Sequence, residues 1–271
     1  MLMMESLQAN EEQTVKLFLK KLGSEFSVVI GEANYFLGMQ IELFECGKIF
    51  IHQEAYCREI LSRFDMINSN HVSTPIKKGA ITTDDSVSLS ADVPYLEAVG
   101  SLIFLAIVTR HDIAYAVEVL SQILDKPQQI HWPMVKRILR YLNGTKKCGI
   151  MYLGFSSATL ESYSDSDYVE DPLTRRSTSG MVKSSCKRGN LVEQSFKELC
   201  CVTSAPSLQM DKQSAICLVK NPEFHNRTKH IDIRYKFIKE QYENKQLNVI
   251  NCSSEVQAAD ILTKPLAKID F

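Results

Sequence analysis

Three stretches of the sequence set an aspartate near the end of a segment of regular structure: Ser162-Tyr163-Ser164-Asp165-Ser166-Asp167, Met210-Asp211-Lys212-Gln213-Ser214-Ala215 and Gln257-Ala258-Ala259-Asp260-Ile261-Leu262. Asp165 falls on a strand, Asp211 at a strand-to-helix junction, and Asp260 near the start of a short final helix. Carboxylates at such ends can converge although they are far apart in sequence, and their oxygens are hard ligands suited to divalent metals. Two such ions held about 4 Å apart clamp the attacking water and the leaving oxygen of a phosphodiester. The competing reading is that each acid is merely solvated or caps a helix, since the chain has 32 acidic residues to distribute.

A second set is cationic. On a helix over 129–143, Lys136, Arg137 and Arg140 fall within about 100° of one another at 3.6 residues per turn. Val135, Ile138, Leu139 and Leu142 occupy the opposite side. Such a face suits nucleic-acid phosphates, through contacts that ignore sequence and weaken with salt, but it also describes the solvated side of any amphipathic helix. Arg175 and Arg176, and the set Arg227, Lys229, Arg234, Lys236 and Lys239, are similar candidates. His225 and His230, five residues apart with no cysteine nearby, read as structural. The eight cysteines include no C-x-x-C pair and no zinc-like set, which suits a reducing compartment, cytoplasm or nucleus.

These side chains need elements to position them. The 271 residues, 45% hydrophobic with net charge −1, allow one large or two ordinary domains. Apolar spacing predicts a helix over 11–22, a strand over 35–43, a turn at Glu45-Cys46-Gly47 and a returning strand over 48–51. Cys57, Ile60, Leu61 and Phe64 give a helix over 53–66 one apolar face. The polar stretch 68–94 reads as a loop, followed by helices over 95–108, 112–125 and 129–143, the last stopping at Asn143-Gly144. Trp132 is expected to anchor the core, and Tyr163 and Tyr168 either pack on strands or stack on a base. A short strand over 149–153 precedes a domain boundary at Phe155-Ser156-Ser157-Ala158, dividing the chain into 1–154 and 155–271. The second part alternates: strands over 160–166, 178–185 and near 190–203, helices over 212–220 and 229–243, a strand over 246–251 and a helix over 256–263. The fold class is therefore α+β, with a mixed sheet flanked by helices. The apolar run Leu102–Val108 is too short to span a bilayer. Met1-Leu2-Met3-Met4 has no basic lead that would make it a signal peptide. A soluble protein with no membrane partner and no small-molecule substrate is expected.

Longer runs carry a resemblance. YSDSDYVEDPLTRRSTSG at 163–180, DKQSAICLVKNPEFHNRTKHIDIRYKFIKE at 211–240 and VQAADILTKPL at 256–266 resemble, in order, the start, centre and end of the ribonuclease H domain of copia-type retrotransposon polyproteins. NYFLGMQIE at 34–42, YLEAVGSLIFLAIVTRHDIAYAVEVLSQ at 95–122 and HWPMVKRILRYLNGTKKCGI at 131–150 are similar to the end-of-palm, thumb and connection regions of the preceding reverse transcriptase. The resemblance implies a helical thumb-and-connection remnant with a β-hairpin over 1–154 and an incomplete ribonuclease H-like domain over 155–271. In that family three aspartates and one glutamate bind two magnesium ions and cut the RNA strand of an RNA–DNA hybrid. The matching aspartates are Asp165, Asp211 and Asp260. Asp167 and Asp232 lie in family-like runs without an implied metal contact.

The departures from the family pattern shape the functional expectation. The polymerase's paired aspartates, in a Tyr-x-Asp-Asp hairpin, would lie just before Met1, so nucleotidyl transfer is not expected unless another chain supplies that site. Where the family has a Ser-x-Glu-Ala-Glu-like run opening the helix of the fourth ligand, this sequence has Thr203-Ser204-Ala205-Pro206-Ser207-Leu208. Glu193 and Glu198 lie nearby on an expected strand. The expectation is a fragment of an RNA-directed DNA polymerase/ribonuclease H without unaided catalysis, its magnesium site weakened and its partner, if any, an RNA–DNA hybrid or duplex. Two alternatives stand beside it: a non-catalytic hybrid-binding module, and a magnesium-dependent ribonuclease H with a substitute fourth acid. The 178–215 region is expected to be the least ordered part of the second domain, with Leu199, Cys200, Cys201 and Val202 partly uncovered.

Overall fold

The computed structural model describes residues 12–26, 34–77, 79, 87–152, 160–167, 178–185, 207–220 and 240–265. Helix α1 (Glu12–Glu25) is followed by a helical group formed by α2 (Glu54–Arg63), α3 (Tyr95–Val108), α4 (Ala114–Ser121) and α5 (His131–Gly144). Its core is the product of the apolar spacings: Cys57, Ile60 and Leu61 of α2, Leu102 and Leu105 of α3, Leu120 of α4, and Val135, Ile138, Leu139 and Leu142 of α5 are all buried. Each aliphatic side chain so buried contributes roughly 1.5–3 kcal/mol. Trp132 packs partly buried against this core. The expected helix over 112–125 is shorter, a 3-10 turn at His111–Ile113 leading into α4.

A buried cation closes the corner between α3 and α4. Arg110 is 1% exposed. Its guanidinium donates to the Asp112 carboxylate (Nη2 to Oδ2 2.6 Å) and, through Nη1, to the Thr145 carbonyl at 2.8 Å beyond α5. Tyr141 of α5 donates its hydroxyl to Asp112 at 2.7 Å, and the guanidinium lies 5.6 Å from the Tyr141 ring centroid.

The first sheet is wholly antiparallel, in the order β1 (Tyr35–Phe36), β2 (Met39–Leu43), β3 (Ile49–His52), β4 (Gly149–Tyr152). The single strand expected over 35–43 is folded back on itself, with Phe36 paired to Met39. Leu37 and Gly38 form the turn with φ +48° and +82°, and positive φ at both central residues is what a tight hairpin turn needs to match strand twist. Gly149 permits β4 to lie against β3, because a Cβ there would fall 2.3 Å from the Ile51 carbonyl oxygen.

The second sheet mixes directions, in the order β6 (Thr178–Ser185), β5 (Leu160–Asp167), β7 (Ser207–Met210), β8 (Asn248–Asn251). β5 and β6 pair antiparallel, whereas β5–β7 and β7–β8 are parallel. Parallel neighbours require a crossover, and α6 (Gln213–Lys220) lies in the one between β7 and β8, burying Ile216 and Val219 with Val249. Antiparallel and parallel sheets with helices thus give a mixed architecture compatible with α+β. β7 ends at Met210 and α6 starts at Gln213, so Asp211 lies between a strand and a helix, where the sequence reading put it. One expectation is corrected. The helix expected over 256–263 is a 3-10 turn at Ser254–Val256 and a separate short helix α7 (Asp260–Thr263), because Gln257 adopts extended backbone at φ −73°, ψ 93°. The strand expected near 190–203, the 229–239 part of a helix, the boundary at 155–158, Leu199–Val202, His225 and His230 lie outside the described residues. No helix among the described residues is long and apolar enough to cross a membrane.

Candidate metal centre

Strand register brings the first two aspartates together. Tyr163 of β5 is level with Gln209 of β7 in a parallel pairing, so two residues further on Asp165 is level with Asp211. Side chains two apart share a face, and neighbouring strands are about 4.8 Å apart. The two carboxylates therefore meet at the end of β7. Asp260 arrives from α7, after β8 has paired with β7 as far as Asn251. One ligand atom from each of Asp165, Asp211 and Asp260 lies within 4.8 Å of the others.

The segment around α7 holds the cluster in place. Gln257, 5% exposed, donates Nε2 to the Ser164 carbonyl at 3.2 Å and so ties the approach to β5. Thr263 donates its hydroxyl to Asp165 Oδ2 at 2.5 Å. Lys264 places its ammonium 3.1 Å from Asp165 Oδ2 and 3.0 Å from Asp260 Oδ1. These three residues were not singled out from sequence. The available signal was spacing: Thr263 and Lys264 stand three and four residues after Asp260, one helical turn on.

Electrostatics separate the acids. Burial pushes the Asp165 carboxyl up, but Thr263, Lys264 and Lys212 together outweigh it and hold the group below the ordinary aspartate range. Asp260 is held above that range, chiefly by burial and then by the negative charges of Asp165 and Asp211, with Lys264 opposing. The Cys252 thiol is likewise pushed up, first by burial and then by Asp211. A buried thiol of that kind is a poor nucleophile.

The donor set fits a hard divalent cation such as magnesium. Asp165 is 1% exposed, and its Oδ1 is buried with no hydrogen-bond partner among the described residues. An unsatisfied buried carboxylate oxygen is costly, and a cation held between it, Asp211 and Asp260 would remove that cost. Among the described residues the cluster contains three acids and no fourth.

No model of a known protein family matches the chain. Relatives do. The retrovirus-related Pol polyprotein from transposon TNT 1-94 of Nicotiana tabacum is 34% identical across 89% of this chain and 21% of its own length. That from transposon RE1 of Arabidopsis thaliana is 33% identical across 98% of this chain and 20% of its own. An uncharacterized mitochondrial protein of Arabidopsis thaliana is 30% identical across 64% of this chain and 72% of its own. The chain belongs to the Pol polyproteins of copia-type retrotransposons. It spans about a fifth of the length of the Pol polyproteins it matches.

In this Pol chain the basic residues of α5 do not share one environment. Lys136 is exposed, its Nζ 5.6 Å from the Trp132 ring centroid. Arg137 and Arg140 are half-buried and line a cavity beside α4. Arg175, Arg176 and Lys229 lie outside the described residues.

Proposed function

We propose that this Pol segment derives from an RNA-directed DNA polymerase with ribonuclease H, and that 155–271 is a ribonuclease H-like unit binding magnesium at Asp165, Asp211 and Asp260 without cutting RNA unaided. The observation that carries the reading is the meeting of three carboxylates, from a strand, a strand end and a helix start, within 4.8 Å. In that arrangement Asp165 is the anchoring ligand, fixed by Thr263 and presenting Oδ1. Asp211 and Asp260 flank it, and Lys264 limits the repulsion among the three. A bound divalent ion would supply polarisation of a phosphoryl oxygen and of water. The polymerase part of the reading rests on the resemblance of 1–154 to thumb and connection. These 271 residues contain no Tyr-x-Asp-Asp motif.

The test is thermal denaturation with magnesium or manganese, together with calorimetric titration. Binding to the Asp cluster stabilises the folded state by mass action, so the natural chain is expected to melt higher with metal and Asp165→Asn to lose that gain. Equal stabilisation of both proteins would show that the metal does not bind at the aspartate cluster. A second reading, non-catalytic binding of an RNA–DNA hybrid, is favoured by the half-buried cations Arg137 and Arg140. Hybrid binding that weakens steeply with salt would support it.

A further inference from the structure

The helix that brings Asp260 to the centre also touches the helical group. α7 is in contact with β5 and β6 of the second sheet, and with α4 and the 3-10 turn His111–Ile113. Ala259, just before α7, and Thr263, at its end, are 0% and 2% exposed. α7 is a single turn, with the Lys264 N–H on the Asp260 carbonyl at 2.9 Å and the Leu262 N–H on that of Ala259 at 3.0 Å. One turn fixes several dihedrals for each hydrogen bond it gains, so it does not hold itself in place. Its position comes from what it packs on.

The turn His111–Ile113 is equally short and is held by the helical group. Ile113 is buried in the core of that group. Asp112 accepts from Arg110 Nη2 at 2.6 Å and from the Tyr141 hydroxyl at 2.7 Å, and Arg110 is anchored in turn on the Thr145 carbonyl at 2.8 Å. Contacts therefore run from Tyr141 and Arg110 through Asp112 and its turn to α7, and from α7 through Thr263 to Asp165. Chains of packed and hydrogen-bonded groups of this kind can carry coupling between distant sites. The charges that act most on Asp260 are those of Lys264, Asp165 and Asp211, all within the cluster. The corner thus acts on Asp260 through position and not through its field.

We propose that Arg110, Asp112 and Tyr141 are positioning residues for the aspartate cluster: by fixing the turn His111–Ile113 they seat α7, and the seating of α7 sets how tightly a divalent cation is held. Ligands need to be held within about 0.5 Å of their working geometry, and with three acids in the cluster a displaced Asp260 has no substitute among the described residues. The part concerning cation affinity rests on the metal-centre reading above, whereas the seating of α7 does not.

The experiment compares the whole natural chain with Tyr141→Phe, which removes one donor to Asp112, with Asp112→Asn, and with Val99→Ala. Val99 is fully buried in the first half of α3, so its truncation weakens the same core away from the corner. Two quantities are measured: amide hydrogen exchange at Leu262 and Lys264 without metal, and manganese affinity by electron paramagnetic resonance. Exchange at both amides should be about tenfold faster in Tyr141→Phe and Asp112→Asn, with manganese held about tenfold more weakly. Val99→Ala should change neither, although it lowers the melting temperature. Tyr141→Phe is the milder change and keeps the comparison if Asp112→Asn does not fold. Faster exchange in the corner variants, with no manganese bound by the natural chain, supports the seating of α7 and ends the metal-centre reading. Faster exchange with unchanged manganese affinity overturns the link between seating and cation binding. Exchange unchanged in both corner variants, or raised equally by Val99→Ala, overturns the proposal whatever manganese does.

Discussion

Between Asp165 and Asp260 the ammonium of Lys264 lies 3.1 and 3.0 Å from the two carboxylates, so the centre is partly neutralised before any metal reaches it. A divalent ion has to share those oxygens with the ammonium or move it aside. Lys264→Met is therefore expected to act in two directions. The metal-free chain should melt at a lower temperature, since three acids are left to repel one another. The gain in melting temperature with manganese should be larger, since the ion no longer competes with a fixed cation. Paired melts with and without manganese check both, and a variant whose metal-dependent gain shrinks would contradict this role for Lys264. His131 offers a residue-scale prediction of another kind. It is 6% exposed, its Nδ1 accepts the Gln128 N–H at 2.9 Å, and burial holds its pKa below the usual histidine value. A folded pKa depressed below the unfolded one gives a contribution present above about 6.5 and lost as pH falls through the folded value. Stability measured by urea unfolding should fall between pH 7.5 and 5.5, and His131→Asn should reduce that fall. An unchanged pH dependence in the variant would assign it to other groups.

At the scale of elements, the Arg110–Asp112–Tyr141 group joins the α3–α4 corner to the end of α5. Removing one partner of a buried ion pair leaves the other charge uncompensated, a loss of roughly 3–5 kcal/mol. Arg110→Met should destabilise the helical group by about that much in urea unfolding, and a double variant with Asp112→Asn should recover part of it. A loss below about 1 kcal/mol would show that the group is not what closes the corner. The same helices were the most legible elements, because long apolar stripes such as Val135, Ile138, Leu139 and Leu142 permit few other foldings. The hairpin at Leu37-Gly38 was hidden because Tyr35 to Leu43 keeps an uninterrupted strand-like composition through the turn. Only the end of β7 was legible, at the strand-to-helix junction of Asp211; its start was not, because Ser207-Leu208-Gln209-Met210 is four residues long and buries only Leu208. Of the candidate centre, the three aspartates stand at element ends, but it was the family-like runs around them that set them apart from the chain's other acids. For Thr263 and Lys264 spacing pointed only to Asp260; their contact with Asp165, nearly a hundred residues away, comes through the pairing of β5, β7 and β8.

The whole molecule couples these scales. β5, the end of β7 and α7 set three acids at one point, and the sequence has no glutamate in Thr203–Leu208, where the resemblance implies the fourth ligand. Two-metal cleavage needs both ions held close while water attacks in line, and a misplaced ion loses the alignment on which the rate depends. On the proposed reading Asp165, Asp211 and Asp260 would hold one cation, and a second would lack a supporting carboxylate among the described residues. The proposed centre therefore binds metal and does not cut. The most direct measurement is an RNA–DNA hybrid cleavage assay on the purified chain with magnesium and with manganese, alongside Asp165→Asn and a variant carrying a family-like glutamate helix between Thr203 and Met210. RNA should stay intact with the natural chain and with Asp165→Asn, and be cut only by the repaired protein. Cleavage by the natural chain that disappears in Asp165→Asn would contradict this and show that another acid completes the centre.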